Sequence, residues 1–326
     1  MARPLTGARM RWVGRVAQAG VVLLLAYVVT FVILRLLPGD PAEVMLAAAG
    51  VDPAAITPEQ YAALREKFGL DQPAPVQLVT QLLAALRGDL GLSYASGRPV
   101  SELIAERAPG TLAIGFGGFL LAAVLGVTIA CAATLVRAPF LRRLLRRLPA
   151  IGISLPSFWT GLLFVQLFAF TLGWLPPSGS REPGSVVLPA LTLAIGSSAV
   201  IAQLLLRGLD EAYREGFVNT ARMKGLSPLR VLLRHGLPNA AAPTLTMLAL
   251  ILGNLLTGTV VVETLFSRAG LGRLLQDAVL NQDVPVVQGI VLLAAAIFLL
   301  LNLLVDLLYP LLDARQRPEP TAAVAA

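Results

Sequence analysis

Several stretches of this 326-residue chain run for more than about 18 residues with almost no charge, and that feature decides most of what the chain can become. Hydrocarbon offers no water to backbone N–H and C=O groups, so such runs fold as helices that satisfy their own backbone. About 20 residues at 1.5 Å rise each cross a core of about 30 Å. Composition points the same way: 56% of residues are hydrophobic and 14% charged, whereas a soluble domain carries about 25% charged residues. The predicted fold class is an all-α polytopic membrane protein with six transmembrane helices, over Val13–Leu37, Thr111–Val136, Pro149–Trp174, Val186–Leu206, Thr244–Leu265 and Val286–Leu311. Residues 1–12 precede the first helix, 38–110 form a long segment after it, 111–311 hold the remaining five, and 312–326 are a tail.

Arg3, Arg9, Arg11 and Arg15 lead into the first span, as basic residues lead into a signal peptide. Its apolar stretch exceeds the 7–15 residues of a signal h-region and no small-residue cleavage site follows, so it reads as a retained helix. With the N-terminus in the cytoplasm, 17 of the 26 basic residues fall in inner segments. They include Arg137, Arg142, Arg143, Arg146 and Arg147 in one loop and Arg207, Arg214, Arg222, Lys224, Arg230 and Arg234 in another. The positive-inside rule then places both termini in the cytoplasm. The net charge of +7 is accounted for by topology and calls for no nucleic acid.

Pro38–Gly110 lies outside on this reading, and its nine acidic residues outnumber its five basic ones. Thr57-Pro58-Glu59-Gln60 fits a capping box with proline at the first helical position, and Gly69 is placed to end that helix. Tyr61, Leu64 and Phe68 share one face, and a second helix is expected from Pro75 to Gly88. The segment is either a folded cap or a docking surface for an external partner, and the two readings are compatible.

The span interiors are nearly free of charge. Gln166, Gln203, Asn254 and Asn302 are their main polar residues, with Glu263 and Asp306 near span ends. Amides of this kind serve interhelical hydrogen bonds. Gln166, Gln203 and Asn254 are also candidates for a substrate pathway. An ion-coupled carrier needs titratable or coordinating groups near the midplane, and the spans do not offer them. One histidine, His235, rules out a histidine-cluster metal site, and one cysteine, Cys131, rules out an intrachain disulfide. No GxxxxGK[ST] phosphate loop is present, so a P-loop of its own is not expected, and no catalytic residue, metal site or cofactor is assigned to the chain.

The inner loop over residues 207–243 contains FVNTARMKGLSPLRVLLRHGLPNAAAP. Its Asn219-Thr220-Ala221, three residues, Gly225, nine residues, and His235-Gly236-Leu237-Pro238 resemble the EAA loop of ABC importer permeases. Ala221, Gly225, Leu237 and Pro238 match that pattern; Asn219, Thr220 and His235 depart from it. LLPGDPA (36–42), LREKFGLDQPAPVQ (64–77), GDLGLSY (88–94), ERAPGTL (106–112) and ETLFSRAGLGRLLQDAVLNQDVPVVQG (263–289) are similar to the first permease of the dipeptide/oligopeptide/nickel branch. The resemblance covers residues 10–313.

That resemblance implies a type I ABC importer permease fold and a non-catalytic subunit of the bacterial inner membrane. It implies a heterodimer with a second homologous permease, two cytoplasmic ATPases that bind ATP and Mg, and an extracytoplasmic solute-binding protein. Asn219, Thr220, Ala221, Arg222, Lys224, Gly225, Leu226, Leu237 and Pro238 would form the ATPase-coupling loop, a short cytoplasmic helix seated in a cleft of the ATPase. Di- or oligopeptides are the implied cargo. Nickel chelates, glutathione, opines and oligosaccharides remain alternatives within the branch, and an ion-coupled carrier is an alternative outside it.

Overall fold

The structure, a computed structural model, describes residues 5–36, 39–48, 50–52 and 55–312. Arg3, Leu37 at the end of the expected first span, Pro38 at the start of the segment after it, and Arg315 and Arg317 of the tail lie outside the described residues. The described residues form helices α1 Leu5–Leu36, α2 Pro41–Ala48, α3 Pro58–Lys67, α4 Ala74–Leu86, α5 Val100–Leu135 and α6 Pro139–Ser154. These are followed by α7 Ser157–Phe164, α8 Val187–Ala212, α9 Gly216–Met223, α10 Pro228–Val231, α11 Leu237–Leu265, α12 Leu271–Leu280 and α13 Val284–Leu312. Two continue into π-helical turns, α7 over Val165–Thr171 and α10 over Leu232–Gly236.

Among the described residues α1, α5, α8 and α13 are long and apolar enough to cross a membrane, and α6 with α7 makes a fifth if that bent pair is one span. α11 is 29 residues long, but its apolar stretch is the shorter Leu250–Leu265. The expected six spans are thus met on length and composition at four or five places.

Several boundaries differ from the sequence expectation. The third span, expected as one helix over Pro149–Trp174, is broken: α6 ends at Ser154, Leu155 is extended at ψ 123°, and α7 leaves at an angle of 107°. Pro156 is the cause, because proline lacks an N–H and its ring pushes the preceding residue out of the helical region. Pro149 lies inside α6 and is buried there. The second long helix starts at Val100 rather than Thr111 and carries Pro109 within it, so the last part of the expected 38–110 segment is helix. α8 runs on to Ala212, past Leu206, and α11 starts at Leu237, with Pro238 in its first turn, rather than at Thr244.

The chain divides into two compact units, residues 1–111 with 269–299 and residues 112–268 with 300–326. The first unit gathers stretches far apart in sequence. The Thr57 capping box is formed on both sides: Gln60 N–H donates to Thr57 Oγ1 at 3.3 Å, and Thr57 N–H donates to Gln60 Oε1 at 3.1 Å. α3 closes with Gly69 at φ +65° and Leu70 N–H on Arg65 C=O at 2.8 Å. Tyr61, Leu64 and Phe68 pack as one face on the unit's core.

Asp40 then accepts from Tyr61 Oη at 3.0 Å and pairs with Arg65, joining the LLPGDPA and LREKFGLD stretches. The buried Asp283 carboxylate accepts from Ser93 Oγ at 2.6 Å, Tyr94 N–H at 3.0 Å and Ala95 N–H at 3.2 Å. This joins the GDLGLSY stretch to the start of α13. Burial pushes the Tyr94 phenol up to about 12, with the Asp283 charge adding to the rise. A Cβ on Gly289 would meet Val100 Cγ1 at 2.7 Å, so α13 and the start of α5 are in close contact.

The second unit is built around α8, whose buried residues lie along most of its length. Small residues let the other helices approach it, as at membrane helix interfaces generally. A Cβ on Gly126 of α5 would meet Ile201 Cγ2 at 2.7 Å, and one on Gly152 of α6 would meet Ala199 Cβ at 2.8 Å. Arg146 of α6 grips Asp210 near the end of α8 with two hydrogen bonds, at 2.9 and 2.6 Å. That bidentate fork fixes direction as well as distance.

Candidate functional site

The stretch that follows α8 folds as a helical hairpin. Glu215 is extended at ψ 146°, α9 covers Gly216–Met223, and Lys224 caps its end. Gly225 follows at φ +78°. Leu226 N–H donates to Ala221 C=O at 3.3 Å, and Gly225 N–H donates to Arg222 C=O at 2.9 Å. These are the two bonds of a Schellman closure, which calls for a left-handed residue just past the cap and favours glycine there. The chain reverses, and Ser227 caps α10 by accepting from Arg230 N–H at 3.4 Å.

Val218, Ala221 and Val231 form the hairpin's buried interior, with Tyr213, Phe217 and Leu226 packed on it. The hairpin is keyed to the end of α8 at a second place. A Cβ on Gly236 would meet Tyr213 Cε2 at 2.9 Å, and one on Gly208 would meet Ala240 C=O at 2.9 Å. Leu237 packs on the main core of the unit, while Pro238 sits exposed, just after the π-helical turn that leads into α11. The His235 ring lies 6.4 Å from the Phe217 ring, and its carbonyl accepts from Asn239 Nδ2 at 2.7 Å.

The predicted loop residues therefore divide by position. Ala221, Gly225, Leu226 and Leu237 shape the hairpin: one fills its interior, one turns the chain, and two pack. Asn219, Thr220, Arg222 and Lys224 are exposed, and the Arg222 guanidinium lies 5.6 Å from the Tyr213 ring centroid, within cation–π range. Between the two cations stands Met223, 82% exposed, which sequence reasoning did not single out. Its position just before a helix-ending glycine was the available signal. An exposed flexible thioether flanked by Arg and Lys, on a rigid one-helix platform, suits a partner surface with apolar and acidic groups.

The three amides considered for a pathway all fall in the second unit. Gln166 is exposed on the π-helical turn after α7, Asn254 is exposed on α11, and Gln203 is half-buried on α8. Glu263, at the end of α11, is fully buried. Arg268 just beyond it donates to Gly179 C=O at 2.9 Å. Burial lowers the Arg268 guanidinium and the nearby Glu263 opposes that fall.

Residues 122–318 match the family model described as the binding-protein-dependent transport system inner membrane component, and residues 10–115 match the model for the N-terminal region of such membrane components. The chain belongs to this family. As a binding-protein-dependent transport permease it is 38% identical over 311 residues to a protein of Brucella abortus (strain 2308) named as a peptide transport system permease. That match covers 93% of this chain and 97% of the relative. It is 42% identical over 287 residues to the glutathione transport system permease protein GsiC of Salmonella paratyphi A (strain ATCC 9150 / SARB42), covering 88% of this chain and 92% of that protein.

Among solved structures, a chain of the MetNI methionine ABC transporter in inward-facing conformations aligns with a TM-score of 0.56 and 18% identity. It covers 65% of this chain and 97% of that one. At that identity the likeness shows a shared fold alone. Family and apolar helices together make this a multi-pass membrane protein.

Proposed function

We propose that this permease passes di- or oligopeptides across the cytoplasmic membrane by alternating access, and that separate ATPase subunits act on it through the α9 hairpin. The observation that carries the reading is the hairpin itself. Gly225 closes it, Ala221 fills it, and Arg222, Met223 and Lys224 are held outward on a platform keyed to α8. Because α8 is the helix around which its unit packs, a push on the hairpin is passed to that packing as a rigid-body displacement. The relatives named for peptide and glutathione transport support a cargo with peptide-like bonds. Nickel chelates, opines and oligosaccharides are the competing cargoes.

In this account six helices cross the membrane, with α6 and α7 as one bent span, α11 as the fifth, and both termini in the cytoplasm. A second homologous permease completes a heterodimer. Gln166, Gln203 and Asn254 face the pathway, two ATPases bind ATP and Mg, and an extracytoplasmic binding protein delivers the cargo to the side carrying α2–α4. Purification through a tag on this chain should recover a sister permease and the ATPases. In proteoliposomes that complex should take up a labelled peptide only with binding protein outside and ATP inside. Peptide uptake by this chain alone, driven by an ion gradient, would refute the proposal.

A further inference from the structure

The helix α4 sits in a segment that sequence alone assigns to water, yet its thirteen residues, APVQLVTQLLAAL, include no charged side chain. The neighbouring α3, PEQYAALREK, carries four. One face of α4 is accounted for: Gln77 is buried and accepts from Arg35 Nη1 of α1 at 3.2 Å, and Leu78 packs on the core of the unit. The opposite face carries Val76, Val79, Leu83 and Leu86, spaced at helical intervals and exposed by 47%, 54%, 49% and 76%. A stripe of large apolar groups on one side of a helix needs an apolar neighbour.

The position of α4 identifies that neighbour. Arg35 belongs to the last turn of α1, so α4 is fastened to the very end of a helix long and apolar enough to cross the bilayer. The same end of α1 exposes Val32, Ile33 and Leu36, side chains that in a membrane-spanning helix face lipid. At 1.5 Å per residue α4 is about 20 Å long, too short to cross a core of about 30 Å. A short helix with one apolar face, held at the level where a span leaves the hydrocarbon, lies in the interface. We infer that α4 is an interfacial helix, with Val76, Val79, Leu83 and Leu86 buried among the lipids of the leaflet at the Leu36 end of α1. The inference rests on α1 spanning the membrane and is independent of cargo, of ATPase coupling and of which side that leaflet faces.

The test places single cysteines at Val76, Val79, Leu83 and Leu86 of the full chain, in a Cys131→Ala background, and at Ala62 and Glu66 on α3 as controls. All six positions are at the surface or half-exposed, so substitution leaves the fold in place. Each cysteine carries a nitroxide, and the protein is reconstituted in phospholipid nanodiscs, alone and with its partner subunits. Collision rates are read with oxygen, which concentrates in lipid, and with a neutral nickel chelate, which stays in water. At the four α4 positions oxygen should win and at the two α3 positions nickel should win, so the depth parameter changes sign between the helices. Nickel winning on α4 as on α3 overturns the inference. So does shielding of the α4 positions from both probes, which would show that a protein partner covers the stripe.

Discussion

Gly225→Val should leave the permease in the membrane with its partners and stop peptide uptake while ATP hydrolysis continues. Gly225 stands at φ +78°, where an L side chain costs about 1–2 kcal/mol and a β-branched one more. No atom lies within 4 Å of the position a Cβ would take, so the effect is on the backbone and not through a clash. Relieving the strain means giving up the closing bonds from Leu226 to Ala221 and from Gly225 to Arg222. The hairpin's interior is only Val218, Ala221 and Val231 with three half-buried neighbours, so it can open locally without unfolding the long helices. Gly225→Asn, which tolerates the left-handed region, should restore most uptake. Uptake and hydrolysis measured on the same reconstituted complex separate the two outcomes, and normal uptake in the valine variant would end the coupling role.

Asp283→Ala should be the most destabilising single change in the unit that contains α1–α4. It strips the acceptor from a buried hydroxyl and two backbone N–H groups, at Ser93, Tyr94 and Ala95. A buried donor left unpaired costs about 1–3 kcal/mol, and even with partial relaxation the sum reaches about 3 kcal/mol or more. Asp283→Asn keeps one acceptor oxygen and should lose about half as much. Thermal unfolding of the purified permease, followed together with protease cleavage in the 88–99 loop, should rank wild type above Asn above Ala. Equal melting of the Ala variant and wild type would show that the carboxylate does not hold the loop.

What could be read from the sequence was local chemistry. The Thr57 capping box, Gly69 and Gly225 were legible because a cap or a left-handed turn is specified by residues three or four apart. α4 was legible to within a residue or two for the same reason. The break at Pro156 was written in the chain, but unbroken hydropathy on both sides of it outweighed one proline. The contact between Ser93 and Asp283 spans 190 residues, and no spacing rule reaches that far. It does explain why separated stretches carried one resemblance: LLPGDPA, LREKFGLD, GDLGLSY and the start of α13 are held in a single unit by Asp40, Arg65, Ser93 and Asp283. In the hairpin, spacing picked out a segment that folds as one unit without telling its interior from its exposed face. Ala221 reads as a contact in sequence and lies inside in the structure, whereas Met223 passes unnoticed in sequence and stands outermost.

The proposed coupling puts an ATPase subunit on this hairpin. A photo-crosslinking amino acid in place of Met223, in the complete transporter in native membranes, tests it most directly. A covalent adduct between the permease and a cytoplasmic ATPase subunit is expected, and none from the same group placed at Trp174 beyond the π-helical turn. No ATPase adduct from position 223, or labelling of a Met223→Cys variant by a membrane-impermeant maleimide added outside intact cells, would refute that placement.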